Sequence, residues 1–166
     1  MRGDEVRDRA HPLSALLREG LAAGAALGFL APIDDEELDR YWATVADEVE
    51  ARRRTLIAAH IGPTLVGMAQ VVRDSAPNGQ HRAELQKLVV AEVMRGRGIA
   101  RELLRTAERA ARAEGVRLLH LSTHAQLPAA ELYRGQGWHE VGRVPGWAIV
   151  PGGEAVENIF FWKPLP

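Results

Sequence analysis

Apolar positions along the chain fall into two periods, and the change between them outlines the fold. Leu13, Leu16, Leu17 and Leu21 recur at helical spacing and predict a helix over residues 13–22. Gly20, Gly24 and Gly28 then work against a helix, since each interior glycine costs about 1 kcal/mol relative to alanine. Residues 24–32 therefore read as a loop that closes on something, or equally as a small-residue helix packed on a neighbour. Asp34 is placed to cap a second helix, Glu37 to complete a capping box, and Ile33 and Leu38 to form a hydrophobic staple. Leu38, Tyr41, Trp42, Val45 and Val49 supply its buried face, and its end is expected near Arg54.

Beyond Arg54 the pattern turns to β. Residues 55–60 and 64–72 flank Gly62-Pro63 and predict a hairpin. A turn at 75–79 leads to a third strand at 82–90. Residues 98–114 form an amphipathic helix with Ile99, Leu103, Ala107, Ala110 and Ala111 facing inward. A short strand at 118–122, a short helix at 128–136 and two strands near 138–144 and 158–162 complete the order. A weak strand pattern also precedes His11. The order implies an α/β fold, a mixed sheet with about four helices on its faces.

Composition narrows the class. A chain of 166 residues suits a single domain, 1–166. Its 21 basic and 22 acidic side chains leave a net charge of −1, which provides no field for nucleic acid or an anionic membrane. The absence of cysteine excludes disulfides, thiolate metal sites and a cysteine nucleophile. With no long apolar run and no apolar stretch in residues 1–10, a cytoplasmic location is expected. His120 and His124 are four apart at a strand end, and His139-Glu140 lacks a second histidine, so no metal is expected.

The segment Leu88-Val-Val-Ala-Glu-Val-Met-Arg-Gly-Arg-Gly-Ile-Ala100 carries the chemistry. A strand runs into Arg95, Gly96, Arg97 and Gly98, and a helix starts at Ile99 and Ala100. Glycines let backbone approach a ligand, and the free amides at a helix start attract phosphate. A Walker loop would need Lys-Ser/Thr after Gly98, and a dinucleotide fingerprint would need a small residue at Arg101. Neither is present. Arg95-x-x-Gly98-x-Ala100 instead resembles the acyl-CoA-binding motif of the GNAT superfamily of N-acyltransferases. Gln126, Ala129-Ala130, Leu132-Tyr133 and Gly137-Trp138 resemble that family's second motif, with Gln where Asn is usual and Trp where Phe is common. Ala76-Pro-Asn-Gly79, residues 82–88, 118–121 and 141–146, and Gly28-Phe29-Leu30-Ala31 resemble the tabtoxin-resistance type of small GNAT enzyme.

The resemblance implies a mostly antiparallel sheet of 6–7 strands, splayed at the acyl-CoA site, and acetyl transfer from acetyl-CoA to a primary amine of a small molecule, amino-acid-like or an antibiotic or toxin. Leu88, Val89 and Val90 would hold the thioester and pantetheine by backbone amides, and 95–100, Gln126 and Ala130 the rest of the cofactor. Tyr133 would protonate the departing thiolate. Glu84 is the first candidate to take the amine proton, standing on the face of Leu88 if no bulge intervenes, with His124 or water as the alternative base. Ser122, His124, Phe29 and Trp147 are the candidate acceptor contacts, with Trp147 either a pocket wall or a loop anchor. A protein-amine acetyltransferase and a non-catalytic acyl-CoA sensor are the alternatives, and the chain is expected as a monomer or homodimer.

Overall fold

The computed structural model describes residues 1–30 and 32–166. Ala31, part of the tabtoxin-type resemblance, lies outside the described residues. The chain runs α1 (Gly3–Asp8), α2 (Ala10–Ala22), α3 (Asp35–Glu50), β1 (Arg54–Ile61), β2 (Thr64–Arg73), β3 (Arg82–Val90), α4 (Ile99–Ala113), β4 (Leu118–His124), α5 (Ala129–Gly135), β5 (His139–Ile149) and β6 (Ala155–Pro164). The six strands make one sheet in the order β1-β2-β3-β4-β6-β5. Every adjacent pair is antiparallel except β3–β4. This is the expected mixed, mostly antiparallel sheet, with five α-helices among the described residues where about four were expected.

The extra helix is α1, which replaces the weak strand before His11. Its sequence buries only Gly3 and Val6, too little for a period to show. What holds it is local and tertiary: Arg2 N donates to Glu5 Oε2 at 2.7 Å, and Arg7 pairs with Asp47 at 2.6 Å on α3. Asp34 caps α3 as expected, its Oδ1 accepting from Glu37 N at 2.7 Å. That helix stops at Glu50, earlier than the spacing suggested, because Arg52 turns the chain at φ +55° and Arg54 is drawn into β1. Residues 24–30 form an irregular loop, not a small-residue helix; Gly24 and Gly28 stand at φ +81° and +80°.

The sheet buries both faces, as alternation requires. On one side α4 and α5 cover Ile57, Ala69, Leu85, Leu119 and Phe161. On the other, α1 to α3 cover Leu56, Met68 and Val89, with Trp42 in the centre donating from Nε1 to Ser14 Oγ at 2.9 Å. Each large side chain so buried contributes roughly 1.5–3 kcal/mol. Among the described residues no helix is long and apolar enough to cross a membrane.

One irregularity decides the geometry of the site. Met68 pairs with Val89, but Gln70 pairs with Gln86, so β3 carries one extra residue against β2. The bulge lies at Lys87, whose φ is +49°. It reverses the alternation: Ala83 and Leu85 face α4 before it, and Leu88 and Val90 face α4 after it. The bulge therefore overturns the expectation that Glu84 and Leu88 share a face. Glu84 looks toward the α2–α3 side and Leu88 toward α4.

Candidate active site

Between β3 and β4 the ladder is short. Arg82, Ala83 and Glu84 pair with Leu118, Leu119 and His120, and there the pairing ends. Past that point the strands part, which leaves the β4-facing edge of β3 from Leu85 to Val90 without a strand partner. A cleft of about 670 Å³ occupies the opening. Its walls are β3 from Glu84 to Val90, the end of β4, the 25–28 loop, the start of α4 and the face of α5 that bears Tyr133.

The start of α4 is built to receive an anion. Gly98 caps the helix at φ +80°, Gly96 stands at +75°, and a Cβ on either would meet no atom within 4 Å. The cradle is therefore open. The first intrahelical bond runs from Glu102 N to Gly98 O at 3.1 Å, which leaves the N–H groups of Ile99, Ala100 and Arg101 outside the helical ladder. Among the described residues no side chain caps them. Arg95, Arg97 and Arg101 surround this end exposed, and Arg95 Nε is anchored on Val90 O at 3.3 Å. Positive charge, the helix dipole and free donors thus converge on one spot.

Tyr133 is 6% exposed, with its ring 5.7 Å from both Trp138 and Phe161. It lines the cleft, and burial pushes its phenol above the ordinary tyrosine value. Glu84 also lines the cleft, and its Oε2 accepts from Gln86 Nε2 at 2.7 Å. Ser122 and His124 stand at the β4 side; Ser122 Oγ accepts from Asn158 Nδ2 at 3.1 Å, and His124 Nδ1 is buried without a partner.

The structure thus brings together Glu84, Leu88, Val89, Val90, Arg95, Gly96, Gly98, Ile99, Ala100, Ser122, His124 and Tyr133. Five candidates lie off the lining. Arg97 and Gln126 are exposed, and Ala130 is buried under α5, with its neighbour Ala129 on the wall instead. Trp147 lies within β5 where its ladder with β6 is interrupted, 56% exposed and edge-on to Phe160 at 4.8 Å, away from the described lining. Phe29 sits behind the wall against Tyr41, ring centroids 5.0 Å apart.

Sequence reasoning missed Lys87. Its ammonium lies 5.3 Å from the Phe29 ring centre and 5.0 Å from that of Tyr41, and it lines the cleft. Burial and, second, the Arg54 charge lower its pKa to about 8, with Glu84 opposing the shift. Behind it Tyr41 OH donates to Gln70 Oε1 at 2.9 Å, and Arg54 binds both Gln70 and Glu48. No local pattern marks Lys87, because the bulge that aims it is created by pairing with β2.

Comparison with known proteins now decides the family. The model of the acetyltransferase (GNAT) family matches residues 20–138, the span from α2 through β4 and α5 that builds the cleft. The chain belongs to that family. An uncharacterized N-acetyltransferase of Azospirillum brasilense is 28% identical over 152 residues, covering 79% of this chain and 89% of that protein. Among solved structures, the ribosomal-protein-alanine N-acetyltransferase of Brucella melitensis superposes with a TM-score of 0.83 at 23% identity, covering 96% of each chain. Salmonella typhimurium yncA, solved with its cofactor acetyl-CoA, has a TM-score of 0.83 at 17% identity, covering 96% of this chain and 90% of its own. At these identities the likeness concerns the fold.

Proposed function

We propose that this GNAT protein transfers an acetyl group from acetyl-CoA to a primary amine of a small molecule in a ternary complex. One observation carries the reading: the sheet parts after the Glu84–His120 pair, and the cleft it opens holds an anion cradle, an open strand edge, a carboxylate and a tyrosine. The open cradle at 95–100 and the free edge of β3 fit the cofactor. The backbone amides of Ile99, Ala100 and Arg101 would meet its phosphates, and the β3 edge its pantetheine amides.

When bound, acetyl-CoA supplies a thioester carbonyl, so that a C–N bond forms as the C–S bond breaks. Backbone N–H groups beside Leu88 stabilise the charge developing on that oxygen. Glu84 accepts the proton of the incoming amine, directly or through water. Tyr133 holds a proton in a buried setting and gives it to the leaving thiolate. Gathering both reactants in one cleft supplies much of the acceleration, so modest acid and base groups suffice.

What lines the cleft supports a small acceptor. A peptide groove would run between the 24–32 loop and residues 144–151. The described lining includes residues 25–28 but none from 144–151, of which 144–149 belong to the outer strand β5. That favours a small amine over a protein substrate and agrees with the resemblance to tabtoxin-resistance enzymes. The test is release of free thiol from acetyl-CoA across a panel of small amines and of peptides. Amine-dependent thiol release with small amines supports the reading. Release with peptides alone would move it to protein acetylation, and tight CoA binding with no release to a sensor.

A further inference from the structure

Only two of the 21 basic side chains are lysines. Lys163 is accounted for: its Nζ pairs with Glu108 at 2.7 Å and donates to Gln136 O at 2.8 Å. Lys87 is not. Among the described residues it makes no ion pair and no hydrogen bond, and its ammonium rests only on the faces of Phe29 and Tyr41. Its place is also strained. A non-glycine residue at φ +49° costs roughly 1–3 kcal/mol unless its surroundings impose it, and such outliers gather where a side chain must be aimed. Here the bulge turns Lys87 toward the 24–30 loop, its Nζ 3.8 Å from where a Cβ on Gly28 would lie.

The nearest acidic group on the same strand does not neutralise it. Glu84 is engaged by Gln86 Nε2 and lies outside ion-pair distance of Lys87, although its charge is felt there. Arg54 adds positive charge from behind while tied to Glu48 at 2.6 Å. A half-sequestered, unpaired ammonium on the wall of a substrate cleft is a site for an anion. A carboxylate there would gain a charge-assisted hydrogen bond in a partly desolvated place.

We propose that the acceptor amine carries its own carboxylate, and that Lys87 binds that carboxylate while Glu84 faces the amine. The inference rests on the acetyltransferase reading above and names its substrate class: a free amino acid or a close analogue. Lys87, at the bulge, and Glu84, before it, are on the same side of the sheet, so one dipolar molecule meets a cation and an anion in the sense opposite to its own charges. The lysine sets specificity and does not touch the reacting atoms.

The test pairs free amino acids with their neutral primary amides. In each case kcat/KM is measured for the wild type, Lys87→Met and Lys87→Arg. Comparing acid-to-amide ratios between variants cancels the intrinsic reactivity of each amine. The ratio should fall on the order of 10–100-fold in Lys87→Met and be largely kept in Lys87→Arg. A wild type that favours the amides, or a preference for acids that survives in Lys87→Met, overturns the inference and leaves the acetyltransferase reading intact. A second readout needs no turnover. Reductive methylation with ¹³C gives one NMR signal for each of the two lysines and one for the chain terminus. With CoA present, the Lys87 signal should move on adding an amino acid and stay fixed with its amide. If it moves but no amine is acetylated, the carboxylate site stands and the transferase reading fails. If it responds equally to acid and amide, the site is wrong.

Discussion

Tyr133 belongs to the core, the proposed function makes it a reagent as well, and its surroundings fit both. Its ring packs between Trp138 and Phe161 while its edge borders the cleft, and burial keeps the phenol protonated through neutral and mildly alkaline pH. Tyr133→Phe keeps the packing and removes the proton. Turnover should fall about 10²–10⁴-fold with CoA affinity nearly unchanged, as measured by single-turnover kinetics and calorimetry. Equal single-turnover rates would reduce Tyr133 to a packing residue. Lys87 shows the opposite compromise, stability given up at a site. Its folded pKa of about 8 lies below the ~10.4 of an unfolded lysine, so between those values the unfolded chain binds more protons and stability rises with pH. Below pH 8 the penalty is present in full. Lys87→Met should therefore stabilise the fold by about 1–3 kcal/mol at pH 7, since the two ring contacts offset part of the burial cost. The gain should shrink as pH climbs from 8 toward 10.5. Urea unfolding at pH 7 and pH 10 measures both, and a variant less stable at pH 7 would show that the ring contacts outweigh desolvation.

At the scale of elements, what was legible was what is local. The turn from β3 into α4 was readable from Arg95, Gly98 and Ala100, because glycine at a positive φ and a helix start are short-range properties. The capped α3, the hairpin of β1 and β2 and the amphipathic α4 declared themselves by the same kind of signal. The bulge did not, since residues 84–90 read as one continuous strand and the extra residue exists only relative to β2. A lysine at φ +49° gives no glycine to announce it, so the condition on which Glu84 was read to share a face with Leu88, an unbulged strand, is not met, and Lys87 was overlooked. α1 escaped notice because Arg7 reaches α3 some forty residues away for its partners. The cradle itself yields a test at this scale. A side chain at Gly98 meets no protein atom, so Gly98→Val adds only the cost of a left-handed backbone, roughly 1–2 kcal/mol, while its methyls fill the space in front of the α4 amides. CoA affinity should drop at least about tenfold in a variant that still folds. Undiminished affinity by calorimetry would move the phosphates elsewhere.

For the whole molecule, the splay divides the sheet. β1, β2 and β3 with α1 to α4 form one side, β4, β6 and β5 with α5 the other, and only the three residue pairs from Arg82–Leu118 to Glu84–His120 join the strands across the middle. On the proposed binding mode, a cofactor in the cleft would supply what the missing ladder does not, since it would touch the β3 edge and the α4 amides on one side and the Tyr133 face of α5 on the other. Ligand at a hundred times its Kd adds about 2.7 kcal/mol to stability. In a chain of this size that corresponds to a rise in Tm of roughly 5–10 °C. The more informative measurement is where the stabilisation lies. Hydrogen exchange with CoA bound should slow most at the open edge of β3, between Leu85 and Val90, and at Ile99, Ala100 and Arg101. Amides of the β1–β2 hairpin, already paired, should slow only by the global gain. Exchange that slows evenly over the chain would mean that the ligand does not bridge the two halves. Protection absent from the start of α4 would remove the cradle from the binding site, however large the shift in Tm.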